Sequence, residues 1–172
     1  MNKVAIVTDS VASIPEPLLQ SLKIHTVAYY IHRGQEVLRD LVTINRDDFF
    51  TWMKTATAIP QTASPGPGDY LTLYEQLAGE GTTEIVSIHM SSKGSGAFQA
   101  ARAALPMLKE RLPSIHVEVI DTLNVSMCQG WIALEAARAS MEGKSLKEIL
   151  QLIARMIPVT RMIQTADTLK YL

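Results

Sequence analysis

The sequence predicts an α/β fold with three layers, in which helices cover both faces of a mainly parallel β-sheet. Short apolar runs rich in β-branched residues occur at 4–7, 85–89 and 115–120, and segments compatible with helices alternate with them along most of the chain. Hydroxyl or carboxylate side chains follow each run. Because the carboxyl ends of parallel strands meet at one edge of a sheet, we expect these polar groups at a common ligand-binding edge.

The composition is that of one domain with its own hydrophobic core. The chain has 172 residues, of which 47% are hydrophobic, and this length argues against two complete domains. The 16 basic and 17 acidic residues leave a formal net charge of -1 and form no block of like charges. Nucleic acid is therefore not an expected partner.

Three features of the sequence predict a cytoplasmic protein. Cys128 is the only cysteine, so it cannot form a disulfide within the chain. The first residues lead directly into the first apolar run and do not resemble a secretory signal. No apolar stretch reaches the length of about 18 residues that could span a bilayer.

Cap and turn signals predict the elements of the first half of the chain. Ser13 and Glu16 have the spacing of a capping box, which predicts a helix over 13–22. The next predicted strand covers 24–30, and Gly34 predicts a turn into a small hairpin outside the parallel pattern.

Similar signals predict the later elements. Asn45 caps a predicted helix whose aromatic residues are expected in the core or in a pocket wall. Pro106 is expected to kink or shorten a helix over 95–109. Gly143 ends one predicted helix, and Ser145 caps the next. The remaining predicted elements are helices over 69–77, 127–141 and 146–156 and a last strand over 160–165.

The turn after the central strand is rich in hydroxyls and glycines. Its sequence is Ser91-Ser92-Lys93-Gly94-Ser95-Gly96, and a helix is predicted to begin near Ser95. Backbone N–H groups at the start of a helix attract anions, so the turn is a candidate site for a small negatively charged group. Serine also serves turns and helix caps, and a purely structural turn is the alternative.

A second candidate segment is the proline-rich loop before residue 69. Prolines at 60, 65 and 67 restrict its backbone, which lowers the entropy cost of holding one shape. A stiff loop can present side chains accurately, and the hydroxyls in this loop belong to Thr62 and Ser64. The alternative is a loop that only starts the following helix.

The sequence favours binding over catalysis. The four histidines show no metal-ligand spacing, and His89 is expected to be satisfied within the fold. Asp9, Asp40 and Asp121 could transfer protons, but carboxylates beyond strand ends more often brace neighbouring loops. Neutral hydroxyls and backbone amides bind an anion well but do not activate it strongly. We therefore expect neither a metal nor a cofactor.

Several motifs together resemble the DegV family of bacterial fatty-acid-binding proteins. They match in order over essentially the whole chain, which makes the resemblance far more specific than any one motif. The motifs are Thr8-Asp9-Ser10, Arg39-Asp40, the loop 60–66, Ser91-Ser92-Lys93-Gly94-Ser95-Gly96, Phe98-Gln99-Ala100-Ala101-Arg102, Ile120-Asp121-Thr122, Ser126-Met127 and the closing segment 167–172.

The resemblance implies a carrier that buries an acyl chain and holds the carboxylate of a long-chain fatty acid through hydroxyls. The carrier presents the fatty acid to a separate fatty acid kinase subunit and is not itself an enzyme. Thr62 and Ser92 correspond to the family's carboxylate-binding residues. Supporting candidates are Ser91, Ser64, Ser95 and Gly96, and possible structural support comes from Asp9, Ser10, Asp40 and Asp121.

The sequence departs from the family in two ways. Three residues differ from those usual in the family: Leu41 stands in place of a glycine, Gly94 in place of a leucine and Ala97 in place of a threonine. The backbone at these positions is therefore expected to differ from that of the family. The chain is also shorter than family members: residues 1–157 correspond to the N-terminal α/β domain, and 158–172 to the start of a second domain that is otherwise absent. We therefore expect weaker lipid binding than in a full-length relative, and self-association through the exposed pocket face.

Two other functions compete with the carrier. The first is a small enzyme for a phosphorylated or carboxylated metabolite, in which the serine-rich turn binds the anion and Asp9, Asp40 or His89 transfers protons. The absence of a recognisable nucleophile and base counts against it. The second is a truncated domain that retains only an interaction role.

Overall fold

The computed structural model describes residues 4–165 of the chain. These residues form seven strands and six α-helices. The strands are β1 (Ala5–Asp9), β2 (Ile24–Val27), β3 (Tyr30–Arg33), β4 (Glu36–Arg39), β5 (Gln61–Ala63), β6 (Glu84–His89) and β7 (His116–Asp121). The helices are α1 (Glu16–Ser21), α2 (Arg46–Met53), α3 (Pro67–Gly79), α4 (Ala97–Arg111), α5 (Met127–Met141) and α6 (Leu146–Met156).

The main sheet has four parallel strands in the order β2-β1-β6-β7. Thr8 of β1 pairs with Ile88 of β6, and His89 pairs with Asp121 of β7. This register brings the carboxyl ends of the three strands to one edge. The prediction that their polar residues share an edge is therefore confirmed.

Helices cover both faces of this sheet. Successive side chains of a strand point to opposite faces, and β1 shows this clearly. Ile6 packs in the core with Ile132 of α5 and Ile149 of α6, whereas Val7 packs on the other side with Tyr74 of α3. The predicted three-layer fold with a mainly parallel sheet is confirmed.

A smaller antiparallel sheet, in the order β4-β3-β5, lies outside the parallel pattern. The predicted hairpin is present, and Gly34 in its turn has a φ of 62°, which glycine adopts at little cost. The single predicted strand over 24–30 is wrong, because β2 ends at Val27 and β3 begins at Tyr30 in the other sheet. The proline-rich loop also contains an unpredicted strand, β5, in which Thr62 pairs with Ile31.

The capping box predicted at Ser13 is absent. Ser13 has a left-handed φ of 57°, and its hydroxyl donates to the carbonyl of Val11 at 3.3 Å. Helix α1 begins only at Glu16, after Pro15, and has no side-chain cap. The physical reason is that a residue preceding proline is disfavoured in helical conformation, so Ile14 keeps the helix from starting earlier.

The helix predicted over 95–109 is present as α4, which continues past Pro106 to Arg111, so the proline does not shorten it. The strand predicted over 160–165 is wrong. Residues 160–165 form no strand: a short 3-10 helix, Ile157–Val159, follows α6, and no described strand pairs with the segment after it. A strand needs a neighbour for its backbone hydrogen bonds. The closing motif 167–172 lies outside the described residues.

The two other predicted caps are confirmed. The Asn45 side chain accepts a hydrogen bond of 2.8 Å from the backbone N–H of Asp48, and Ser145 forms a capping box with Glu148. Gly143 has a φ of 81° after the end of α5. No helix within residues 4–165 is long and apolar enough to cross a membrane.

Leu41 keeps a backbone conformation that favours glycine. It follows β4 and Asp40 and has a φ of 62°. Its N–H donates to the carbonyl of Ile44 at 3.0 Å, so the tight turn fixes this conformation. For a residue with a Cβ, the left-handed region costs about 1–2 kcal/mol. The leucine that departs from the family pattern is therefore held in this turn with backbone strain.

Leu41→Gly is expected to raise the free energy of unfolding by about 1 kcal/mol, because glycine adopts this φ without strain. Urea unfolding followed by circular dichroism measures the change. Leu41→Ala is the matched control: it also removes the apolar side chain but keeps the Cβ, so no gain is expected. An equal gain in both variants would contradict the backbone explanation.

Candidate ligand-binding site

A buried polar network lies beneath the carboxyl edge of the main sheet. Asp9 and His89 are both 0% exposed, and the Asp9 carboxylate accepts hydrogen bonds from His89 Nδ1 at 3.0 Å and from Gln129 Nε2 at 2.9 Å. Ser87 Oγ lies 2.7 Å from His89 Nε2 and accepts a hydrogen bond from the Tyr74 hydroxyl at 2.7 Å. The prediction that His89 is satisfied within the fold is confirmed.

Ser10 and Asp121 position the loops around the site. Ser10 Oγ accepts a hydrogen bond from the backbone N–H of Tyr29 at 3.1 Å. Asp121 Oδ1 accepts from the backbone N–H groups of Ser92 at 3.2 Å and Leu123 at 3.0 Å. Ser10 therefore joins the end of β1 to the start of the hairpin, and Asp121 braces the serine-rich turn.

A cavity of about 700 Å³ lies between this edge, the small sheet and α2. Its apolar side chains are those of Val11, Ile31, Phe49, Phe50, Met90 and Val125. Its hydroxyls are those of Ser13, Tyr29, Thr62, Ser64 and Ser95, its charged side chains are those of Asp40 and Arg46, and its glycines are Gly94 and Gly96. The combination of one apolar wall with several hydroxyls is typical of a site for an amphipathic molecule.

The structure brings together four of the six predicted ligand-binding residues. Thr62, Ser64, Ser95 and Gly96 line the cavity, so the proline-rich loop and the serine-rich turn face one space. Asp40, predicted as structural support, lines the same cavity.

The other two predicted ligand-binding residues lie elsewhere. Ser91 lines an adjacent groove of about 650 Å³, which shares Met90, Gly94 and Val125 with the cavity. Ser92 lines neither space, and its backbone N–H is bound to Asp121. In this turn, Ser95 therefore stands at the cavity where the family resemblance points to Ser92.

The two loops approach each other closely at Gly96. A Cβ built on Gly96 would lie 3.3 Å from Ser64 Oγ, which is tighter than ordinary van der Waals contact. A side chain at this position would require Ser64 to shift by a few tenths of an ångström. Glycine commonly serves such close approaches.

Tyr29 is a site residue that the sequence did not predict. Its hydroxyl lies 2.6 Å from Ser95 Oγ. Burial raises the pKa of the Tyr29 hydroxyl to about 12, and the negative charge of Asp9 acts in the same direction, while the Ser95 hydrogen bond partly opposes it. The phenol is therefore protonated at neutral pH.

Arg46, the second unpredicted residue, begins α2. Its Nη2 donates to the carbonyl of Ser10 at 2.7 Å and lies 3.6 Å from Asp40 Oδ2. A signal existed: in a helix, residues three and four positions after Arg46 share its face, and these are Phe49 and Phe50. The predicted pocket-wall aromatics thus pointed to an arginine on the same side.

Within residues 4–165, no three histidine, cysteine, aspartate or glutamate side chains come together as a metal site would require. The groups that face the cavity can donate hydrogen bonds, offer one positive charge and contact an apolar chain. These are the properties needed to bind an organic anion with an apolar tail.

Known proteins have sequences similar to that of this chain over nearly its full length. A DegV domain-containing protein of Caldanaerobacter subterraneus subsp. tengcongensis is 32% identical over all 172 residues. Protein DegV of Bacillus subtilis is 31% identical over 170 residues. The chain spans 59% of the length of each of these relatives.

Solved structures show the same fold. A crystal structure of DegV from Bacillus subtilis, described as a fatty acid binding protein, has a TM-score of 0.82 and 30% identity, and the match covers 92% of this chain and 55% of that one. A DegV family protein from Thermus thermophilus, described by its fatty acid binding, has a TM-score of 0.78 and 29% identity over 91% of this chain and 54% of that one.

The family assignment covers nearly every residue. Residues 3–172 match a family model described as uncharacterised protein, DegV family. The motifs of the sequence, the three-layer fold and the relatives agree with this match. The chain belongs to the DegV family.

Proposed function

We propose that this chain is a carrier domain for long-chain fatty acids. The hydroxyls of Thr62, Ser64 and Ser95 hold the carboxylate, and the aromatic side chains of Phe49 and Phe50 contact the acyl chain. The observation that carries the proposal is that one cavity of about 700 Å³ contains both groups of side chains. The descriptions of the Bacillus and Thermus relatives as fatty-acid-binding proteins support it.

The energetics favour an acyl chain over a small anion. Hydroxyls form charge-assisted hydrogen bonds with a carboxylate, but water offers the same bonds, so their net contribution is modest. Each methylene group removed from water contributes about 0.8 kcal/mol. The apolar wall therefore supplies most of the affinity, and the hydroxyls orient the head group.

In this proposal the carrier presents the carboxylate to a separate fatty acid kinase in the cytoplasm and performs no catalysis. The position of the proton-transfer candidates supports a binding role, because Asp9 and His89 are fully buried and bonded to each other. The third candidate, Asp40, lines the cavity, but the described residues that line it include no histidine or second carboxylate that could act with Asp40 as an acid and base pair. An enzyme would need such a pair free to meet its substrate.

We further propose that residues 1–157 form the carrier domain and that 158–172 begin a second domain. The length of the relatives supports this division, because the chain spans 59% of each. The described residues leave apolar side chains exposed beside the cavity, including Phe50 at 57% and Leu123 at 57%. In this chain alone, a second copy covers this pocket face.

Native mass spectrometry of the protein purified from bacteria is expected to show a co-purified long-chain fatty acid. Thr62→Val is expected to reduce the bound fraction, because it removes the hydroxyl and keeps a β-branched side chain suited to β5. Thr57→Val is the matched control, since Thr57 is exposed and does not line the cavity. The proposal would be contradicted if no fatty acid co-purifies and Thr62→Val binds added palmitate as well as the wild type does.

The same native spectra count the copies of the chain. Dimers are expected to increase with protein concentration, because burial of the pocket face removes apolar surface from water. Leu123→Asn is expected to reduce them, since it removes an exposed apolar side chain, and asparagine tolerates the left-handed φ of 53° at this position. A monomer at all concentrations would contradict the proposed self-association.

Fatty acid affinity is expected to stay constant from about pH 7 to about pH 10, because an ordinary tyrosine begins to lose its proton near pH 10 whereas burial raises the pKa of Tyr29 to about 12. An ionised Tyr29 beside Ser95 would repel a carboxylate, so affinity falls only as the pH approaches that higher value. Equilibrium dialysis with palmitate measures the profile, with Tyr29→Phe as the control. A loss centred near pH 10 in the wild type alone would contradict it.

A further inference from the structure

Two charged side chains of residues 4–165 line the cavity, and one of them can donate hydrogen bonds to an anion. Arg46 is the one cation and Asp40 the one anion among the described residues that line it. The guanidinium stays charged at every working pH and has five N–H donors. It is therefore the strongest donor group facing the cavity.

The backbone holds the Arg46 guanidinium in place without exhausting its donors. Nη2 donates to the Ser10 carbonyl at 2.7 Å, which is its one hydrogen bond within the described residues. The Asp40 carboxylate is 3.6 Å away, beyond hydrogen-bond distance, so this ion pair is loose. The side chain of Arg46 is 33% exposed, and it lines both this cavity and a second one of about 710 Å³ beside α1, so donors remain for a ligand.

Arg46 lies on the helix that also supplies the aromatic wall. Phe49 and Phe50 follow it by three and four residues and line the same cavity. One face of α2 therefore presents a positive charge at its first residue and apolar rings one turn later. An amphipathic anion lying along this face meets its head-group partner and its tail partner on a single rigid element.

Tyr29 connects the surroundings of Arg46 to the serine-rich turn on the other side of the cavity. The backbone N–H of Tyr29 is bound to Ser10 Oγ, and its carbonyl accepts from the N–H of Asp40 at 2.9 Å. Its hydroxyl reaches Ser95 Oγ. Tyr29 therefore links Ser10 and Asp40, the two neighbours of the Arg46 guanidinium, to the Ser95 hydroxyl.

We propose that Arg46 determines the head-group specificity of the cavity, so that it selects ionised fatty acids over neutral amphiphiles of the same chain length. The inference rests on the proposed function. Thr62, Ser64 and Ser95 can bond to a carboxylate or to an alcohol, whereas a guanidinium discriminates by charge. Asp40 balances the charge of Arg46, but at 3.6 Å it does not occupy the hydrogen-bond donors of the guanidinium, which stay available to a carboxylate.

Equilibrium dialysis with palmitate and hexadecanol tests the inference, because the two ligands share one chain and differ in charge. The wild type is expected to prefer palmitate. Arg46→Gln is expected to weaken palmitate binding about tenfold and to leave hexadecanol binding nearly unchanged. Arg46→Lys keeps the charge and is expected to retain a preference for palmitate.

Arg39→Gln is the matched control, because it removes the same charge from an exposed arginine outside the cavity lining. It is expected to change neither ligand's binding. Equal weakening of both ligands in Arg46→Gln would overturn the inference, since it would show that Arg46 only supports the α2 wall. Unchanged palmitate binding in Arg46→Gln would overturn it as well. Failure of the wild type to bind palmitate would instead contradict the proposed function itself.

Discussion

The structure depends on the buried carboxylate of Asp9. It lies at the end of β1, an interior strand of the main sheet, and accepts hydrogen bonds from His89 at the end of β6 and from Gln129 of α5. A buried charge without partners costs several kcal/mol, so about that much free energy favours the arrangement in which strand and helix both reach Asp9. Its bond to the backbone N–H of Met90 at 3.4 Å also fixes where the serine-rich turn leaves the sheet.

A chain of hydrogen bonds connects the walls of the cavity to this edge of the main sheet. Ser10, the next residue, binds the backbone of Tyr29, and the Tyr29 hydroxyl then reaches Ser95 in the turn. The small sheet adds Thr62 because β5 pairs with β3 immediately after Tyr29. The hydroxyls proposed to bind a carboxylate thus come from separate segments, each held by a hydrogen bond that leads back to the carboxyl edge of the main sheet.

The sequence was sufficient to predict what depends on local chemistry. Alternating apolar runs predicted the sheet, and the spacing of Asn45 and Ser145 to their partners predicted two helix caps correctly. The sequence was not sufficient where a residue far away in the chain determines the local structure. Which serine of the turn faces the cavity depends on Asp121, which holds the backbone of Ser92 from another strand. The strand around Thr62 exists because β3 offers an edge for pairing, and three residues carry no pattern that reveals it.

Arg46 illustrates the same limit at the site. Helical spacing could place it beside Phe49 and Phe50, but its orientation depends on the carbonyl of Ser10, thirty-six positions earlier in the chain. At Leu41, by contrast, the sequence did point to an unusual position, because the family resemblance implies a glycine there. The structure gives Leu41 a φ of 62°, which favours glycine.

The central claim is that the cavity between α2, the small sheet and the serine-rich turn holds the head group of a fatty acid. A crystal structure of the protein with palmitate tests it most directly. We expect the carboxylate within hydrogen-bond distance of the hydroxyls of Thr62, Ser64 or Ser95 and the acyl chain against Phe49 and Phe50. Palmitate bound in the adjacent groove beside Ile157 and Met162, with its carboxylate remote from these hydroxyls, would contradict the account.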